Sequence, residues 1–208
     1  MLLAGLEDPL FLLFFIPAAL LAITIHEYAH GRMALAMGDP TAAMQGRLTL
    51  NPLAHLDPLG TIMILLAGFG WARPVPINPY RFNNYRQGLL KVSLAGPVAN
   101  FILAFLGVFL LKLIGFHPFL IQFFSAVVSL NIALGIFNLL PVPPLDGSKV
   151  LSSLLPSHLL GPYRQIEPYA PLVLIFLLAT GVLTSIIYPL IFLVHSFLET
   201  IVNIIIVF

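Results

Sequence analysis

Along this chain, apolar residues gather into long runs rather than alternating with polar ones. Three runs reach the roughly 20 residues that a helix needs to cross a bilayer: residues 10–37, 88–114 and 118–140. The tail 170–208 has room for two more, with a break expected near Tyr188 and Pro189, since proline punctuates a helical run. A shorter apolar stretch, LGTIMILLAGFGW at 59–71, falls short of a comfortable crossing and reads as re-entrant or interfacial. Between the first two long runs, AMQGRLTLNP (43–52) alternates like a short strand and ARPVPINP (72–79) is extended and proline-punctuated, so a small sheet or hairpin is expected there. The predicted fold class is an all-α polytopic membrane protein: about five transmembrane helices, a short re-entrant or interfacial segment, and a small β-hairpin or sheet.

Composition agrees with the pattern. Of 208 residues, 60% are hydrophobic and 8% charged, with mean hydropathy +1.04, whereas soluble domains carry about a quarter charged residues. One membrane-embedded domain, 1–208, accounts for the length, with a core at 10–150 and C-terminal helices at 170–208. A net charge of +1 without a clustered basic face argues against nucleic acid as a partner. The chain has no cysteine, so disulfides and thiolate ligands are excluded and any metal must be held by His, Asp or Glu. The first apolar run follows Glu7 and Asp8 and lacks a basic flank, so it reads as a retained span rather than a signal peptide. Residues 1–9 carry no Lys or Arg, whereas 38–87 carries Arg47, Arg73, Arg81 and Arg86, and 141–169 carries Lys149 and Arg164. The positive-inside rule therefore places the amino terminus outside and both of these loops in the cytoplasm.

Within the first run, residues 23–33 read ITIHEYAHGRM. A carboxylate near the bilayer centre costs on the order of 3 kcal/mol unless something holds it. In a helix, His26 and His30 lie one turn apart on one face and can aim two imidazoles at one ion. Glu27, rotated by about 100°, can reach a water beside that ion without ligating it. This is the division of labour of a zinc hydrolase; the plainer alternative is a hydrogen-bonded polar cluster between packed helices. Counted from residue 10, His26 lies roughly 24 Å along the helix, in the cytoplasmic third of a ~30 Å hydrocarbon core. Zinc needs a third protein ligand. An HExxHxxGxxH continuation fails, because Met33 and Ala36 stand at its last two fixed positions. Among the remaining carboxylates, Asp39, Asp57, Asp146, Glu167 and Glu199, Asp146 is best placed, just past the inward end of the third run. Its alternative role is an N-cap for the helix expected after it.

Together HEYAH, NPLAHLDPLG (51–60), LAGPVAN (94–100) and NLLPVPPLDG (138–147) make the chain resemble the site-2 protease family of intramembrane zinc metalloproteases, in its small form without a PDZ domain. The resemblance runs from about residue 20 to 150. It implies one Zn²⁺ per chain held by His26, His30 and Asp146, Glu27 as the catalytic carboxylate, transmembrane proteins as substrates, and a place in the cell membrane with the active site toward the cytoplasm. Asn138 could hydrogen-bond a substrate backbone or polarise its carbonyl, or simply bond between helices. Gly96, Asn100 and Ala104 recur every fourth residue, a small face for close helix packing that could also touch substrate. His55 and Asp57 could support the zinc from behind or pin a turn between Pro52 and Pro58. An edge strand at RLTL (47–50) could clamp an unwound substrate by strand addition. His195 and Glu199 repeat the i, i+4 spacing in an apolar helix, as a structural pair or a gate, while His117 and His158 read as loop or interface residues. The rival reading is a metal-ion transporter using the same His/His/Asp set. It requires polar residues through both halves of the membrane, and the outer halves of the first two runs have almost none.

Overall fold

The computed structural model describes residues 9–60, 71–114 and 117–207. In chain order they form α1 (Pro9–Ala36), α2 (Thr41–Met44), 3₁₀ turns at Pro52–His55 and Pro79–Arg81, α3 (Tyr85–Leu113), α4 (Pro118–Asn138), α5 (Asp146–Leu154), α6 (Ser157–Ile166), a 3₁₀ turn at Glu167–Tyr169, α7 (Ala170–Ala179) and α8 (Val182–Val207). Helix α3 begins where Asn84 accepts the Gln87 N–H at 3.0 Å, an N-cap that satisfies one orphan donor. Helix α4 begins on Pro118, whose missing N–H costs nothing at that position.

The first three runs become helices within a few residues of their expected bounds. The tail does not behave as expected. Pro189 lies inside α8, tolerated as prolines in membrane helices are, and the break falls instead at Gly181, whose φ of 75° suits glycine. Helix α7 is left with ten residues, about 15 Å of rise and half a bilayer. Among the described residues, four helices rather than five are long and apolar enough to cross a membrane: Leu12–Ala36, Tyr85–Leu113, Pro118–Asn138 and Val182–Ile206.

The expected hairpin is also absent among the described residues. Residues 41–44 are helical, 47–51 are neither helix nor strand, and the one strand-type pairing is an isolated antiparallel bridge between Leu56 and Ala72. Prolines 52, 58, 74, 76 and 79 remove too many donors for a ladder. Side chains take over: Arg47 Nη2 donates to the carbonyls of Arg73 (2.9 Å) and Pro74 (3.2 Å). Most of the stretch expected to be re-entrant, 61–70, lies outside the described residues.

Helices α1, α3 and α4 touch pairwise, α5 lies against α3, and α8 packs on the outside of α3 and α4. That outer seam buries Ala104, Val108, Val128, Ile132, Ile136, Leu198 and Val202. The connection from α1 to α3 is fastened by Asp39, which is fully buried. Its carboxylate accepts the N–H of Thr41 at 3.0 Å, the Thr41 hydroxyl, and the N–H of Asn78 at 2.6 Å. Burial alone, the largest influence, would raise its pKa; the bonds from Thr41 and Asn78, with Arg81 nearby, outweigh it and hold the group below the ordinary aspartate range. A depressed native pKa stabilises the fold fully above the unfolded value of ~3.9 and progressively less as pH falls through the native one. Replacing Asp39 with Ala should therefore destabilise the folded protein by about 2–3 kcal/mol, the scale of hydrogen bonds to a charged group. In thermal unfolding at pH 7 in detergent the variant should melt lower, and acidification below pH ~4 should shrink the gap to the wild-type chain.

Candidate metal centre

His26 and His30 sit ten and six residues before the end of α1, both buried, with ring centroids 4.5 Å apart and planes at 83°. Their Nε2 atoms are 3.0 Å apart. Asp146, the first residue of α5, brings Oδ2 to 2.9 Å from His30 Nε2 and 3.2 Å from His26 Nε2. It makes no cap: Leu145 occupies the N-cap position without a side-chain bond, so the alternative reading of Asp146 gives way to a carboxylate turned toward the histidines. Burial, the strongest influence, would raise its pKa; positive charge shared with the carboxylate by His26 and His30, with Lys149 alongside, overcomes this and holds it below the ordinary range.

The protonation of this cluster follows from its surroundings. His30 Nδ1 lies 2.7 Å from the Val92 carbonyl, which can only accept, so Nδ1 carries the proton. His26 Nδ1 lies 2.6 Å from Asn100 Oδ1. Asn100 Nδ2 donates to the Ala22 carbonyl (3.2 Å) and to Asn131 Oδ1 (2.7 Å), and Asn131 Nδ2 donates to the Val127 carbonyl (2.8 Å). This chain of amides, ending on a carbonyl, fixes Asn100 Oδ1 as an acceptor and His26 Nδ1 as the donor. Both Nε2 atoms therefore present lone pairs, to each other and to a carboxylate oxygen. Three acceptors this close repel one another unless a cation or shared proton lies among them. Tetrahedral N and O ligands at ~2.1 Å from zinc would be separated by about 3.4 Å, within half an ångström of the distances found. The set fits a divalent ion, and it is the group of three ligand-bearing residues that converges among the described residues.

Two glycines allow the convergence. A Cβ on Gly96 of α3 would fall 2.7 Å from His26 Nε2 and closer still to His30 Nε2. A Cβ on Gly147 would overlap the carbonyls of Leu139 and Leu140, so the start of α5 could not close onto the end of α4. Glu27 stands apart from the cluster. Its Oε2 accepts the Val75 N–H at 2.7 Å, and Val75 is held through the Arg47 bonds to the two residues before it.

A cavity of about 450 Å³ opens beside the cluster, lined by His26, Glu27, His30, Asn138 and Asp146 together with Pro74, Val75 and Tyr163. Of the other sequence candidates, Asn138 lines this cavity and donates from Nδ2 to the Leu134 carbonyl at 3.0 Å. Asn100 is behind His26 rather than in the cavity. His55 is not in the lining either: buried, it places Nε2 2.9 Å from the Thr49 carbonyl, pinning the turn. Asp57 accepts the Gly60 N–H at 2.8 Å. Sequence reasoning missed Asn131, Val75 and Arg47; the first carried a signal, an amide inside an apolar span, while the other two act through backbone contacts without a sequence signature.

Fold and site together define a multi-pass membrane protein with a buried two-histidine, one-carboxylate cluster beside an unligated glutamate. The model of peptidase family M50 matches residues 116–180, the stretch that carries Asp146. The chain is 46% identical over 180 residues to "Putative zinc metalloprotease YwhC" of Bacillus subtilis, covering 82% of each chain. It is 30% identical over 181 residues to "Putative zinc metalloprotease Rip2" of Mycolicibacterium smegmatis, covering 83% of this chain and 69% of the relative. A shorter match, 35% over 95 residues, is to "Putative zinc metalloprotease MJ0611" of Methanocaldococcus jannaschii, covering 45% of this chain and 49% of that one. No solved structure matches the chain significantly. The chain belongs to peptidase family M50 and is a metalloprotease.

If the amides behind His26 set its tautomer, Asn100→Ala should weaken metal binding ~10–100-fold, the usual cost of losing such support. Gly96→Ala should empty the site while leaving helicity intact. Metal titration followed by elemental analysis and circular dichroism checks both; full metal occupancy in Gly96→Ala would contradict the geometry.

Proposed function

We propose that this protein hydrolyses peptide bonds within or near transmembrane segments of other membrane proteins, at a single zinc ion held by His26, His30 and Asp146. The observation that carries this reading is the pair of Nε2 lone pairs facing one carboxylate oxygen, with a glutamate on the same cavity wall left out of the set. Zinc at that position supplies a Lewis acid that polarises the scissile carbonyl and makes water more acidic. Glu27 takes a proton from the attacking water and returns it to the departing amine. Its two oxygens divide the work: Oε2 is anchored by Val75, and Oε1, without a hydrogen bond among the described residues, exchanges the proton. Asn138 commits Nδ2 to Leu134 and leaves Oδ1 to accept a substrate backbone N–H.

A substrate helix has its backbone satisfied internally, so it must unwind before any of its peptide bonds reaches the cavity. The wall at 72–78, which lines the cavity through Pro74, Val75 and Ile77 next to Glu27, suits an unwound chain better than 47–50, which contributes no residue to that lining and has its Thr49 carbonyl against His55. With Pro74 and Pro76 lacking donors, pairing there would run through carbonyls. The arginine-rich connection from α1 to α3 supports a cytoplasmic face for the site. A transporter would need a polar path onward through the membrane, but α1 from residue 12 to 23 and α3 from 101 to 111 carry no ionisable side chain.

Purified protein should cleave a single-span model substrate in liposomes. Glu27→Gln should slow cleavage by ~100- to 10,000-fold, the range of general-base contributions, with zinc content unchanged. A chelator should stop the wild-type reaction and added zinc restore it. Wild-type turnover by Glu27→Gln would falsify the role given to this carboxylate.

A further inference from the structure

A second ionisable pair lies in an apolar helix, and it is partly exposed. On α8, His195 Nδ1 and Glu199 Oε2 are 3.8 Å apart, with side chains 39% and 46% exposed. Val182–Ile206 is long and apolar enough to span a membrane. At 1.5 Å per residue His195 lies about 20 Å and Glu199 about 26 Å from its start, so neither is near an end. Asn203, one turn further, is exposed, and its side chain has no hydrogen-bond partner among the described residues. Ser196 and Thr200 flank this row, the Thr200 hydroxyl turned back onto the Ser196 carbonyl at 2.8 Å. The helix meets the bundle through Ile187, Ile191, Val194, Leu198 and Val202, a side centred about 100° around the helix from the middle of the row. No residue of α8 lines the cavity at the metal centre, so the row is separate from the catalytic machinery.

Ionisable side chains within membrane spans face a protein interior or water, almost without exception. Here the described chain covers the pair only in part, so the rest of the cover comes from outside it. We infer that the His195/Glu199/Asn203 row of α8 is a homodimer interface, covered by the same row of a second copy across a two-fold axis along the membrane normal. The row carries its own complement. His195 and Glu199 are opposite in kind and one turn apart, so in a parallel pair each can reach the other residue of the facing helix. Asn203, with both donor and acceptor, can pair with itself, as a buried asparagine does in coiled coils. The spacing i, i+4, i+8 forms one continuous ridge of the kind that packs in a right-handed crossing, and Ser196 with Thr200 makes the small-xxx-small step that lets two backbones approach. A two-fold contact of this kind is isologous, so no second surface is needed.

The absence of cysteine makes the test direct. Ser196→Cys places a single thiol beside the row; Phe197→Cys places one about 100° around the helix, on an exposed face. In membranes treated with a mild oxidant, Ser196→Cys should cross-link to twice the chain mass and Phe197→Cys several-fold less. Adding Glu199→Leu and Asn203→Leu to Ser196→Cys should reduce the dimer several-fold, with retained zinc content showing that the chain still folds. Purified wild-type protein in nanodiscs should have the mass of two copies. Equal cross-linking at both positions, a product of other than twice the chain mass, or single copies in nanodiscs would overturn the inference.

Discussion

Three acceptor atoms that come together so closely that positive charge must lie among them are the constraint on which the structure turns. His26 Nε2, His30 Nε2 and Asp146 Oδ2 arrive from helices 116 residues apart in sequence, and nothing in an apolar interior offsets their mutual repulsion except positive charge. The rest of the fold holds them there against that repulsion. The Val92 carbonyl and the Asn100–Asn131 amides take up the Nδ1 protons, so neither ring can relieve the crowding by changing tautomer. Gly96 lets α3 pass close to both rings, and Gly147 lets α5 begin where it must. A preformed cluster of this kind places much of the ordering cost in the folding of the helices rather than in the capture of the ion.

The glutamate is handled differently, and the difference is chemical. In the function proposed above Glu27 gains and loses a proton each cycle, and a group that does so cannot be surrounded as the histidines are. Glu27 is therefore fixed at one oxygen only, by a backbone N–H from a segment that owes its position to Arg47. That segment is rich in proline, which leaves its conformation stiff and its donors few. The same stretch thus orients the Glu27 carboxylate and walls the cavity, which couples the placement of the one to the shape of the other.

Much of this was legible before any coordinates. Length and hydropathy located α1, α3 and α4 because a bilayer tolerates few departures from a run of apolar residues. The i, i+4 spacing of His26 and His30 was readable for the same reason that any helix face is. Asp146 emerged from hydropathy and charge bias together, and the coordinates removed its competing role as a cap. Less legible were features set by competition between local choices. The stretch 43–52 alternates like a strand, yet its neighbours are prolines and an arginine that satisfies carbonyls from the side, so it stays unpaired. The tail bends at Gly181 rather than Pro189 because a membrane helix accommodates proline, while a residue with φ of 75° ends a helix outright. Asn100 was read as packing or substrate contact; its function behind His26 depends on Asn131, and no spacing rule links residues on two different helices.

The membrane explains why the two i, i+4 polar pairs of this chain have such different settings. In water, His26 with His30 and His195 with Glu199 would each be unremarkable. In hydrocarbon each must be answered, and the answer reveals what the pair does. Around the first pair the chain has built a full enclosure: a carboxylate, two amides, a carbonyl and two glycines, all contributed from within. Around the second, the described residues add no hydrogen bond to the pair; the helix packs mainly through a neighbouring side and leaves the two side chains partly exposed. An apolar side chain would meet lipid there without the cost of a partly exposed ionisable group. Its polarity therefore belongs to a contact beyond the fold, just as the polarity of HEYAH belongs to chemistry within it.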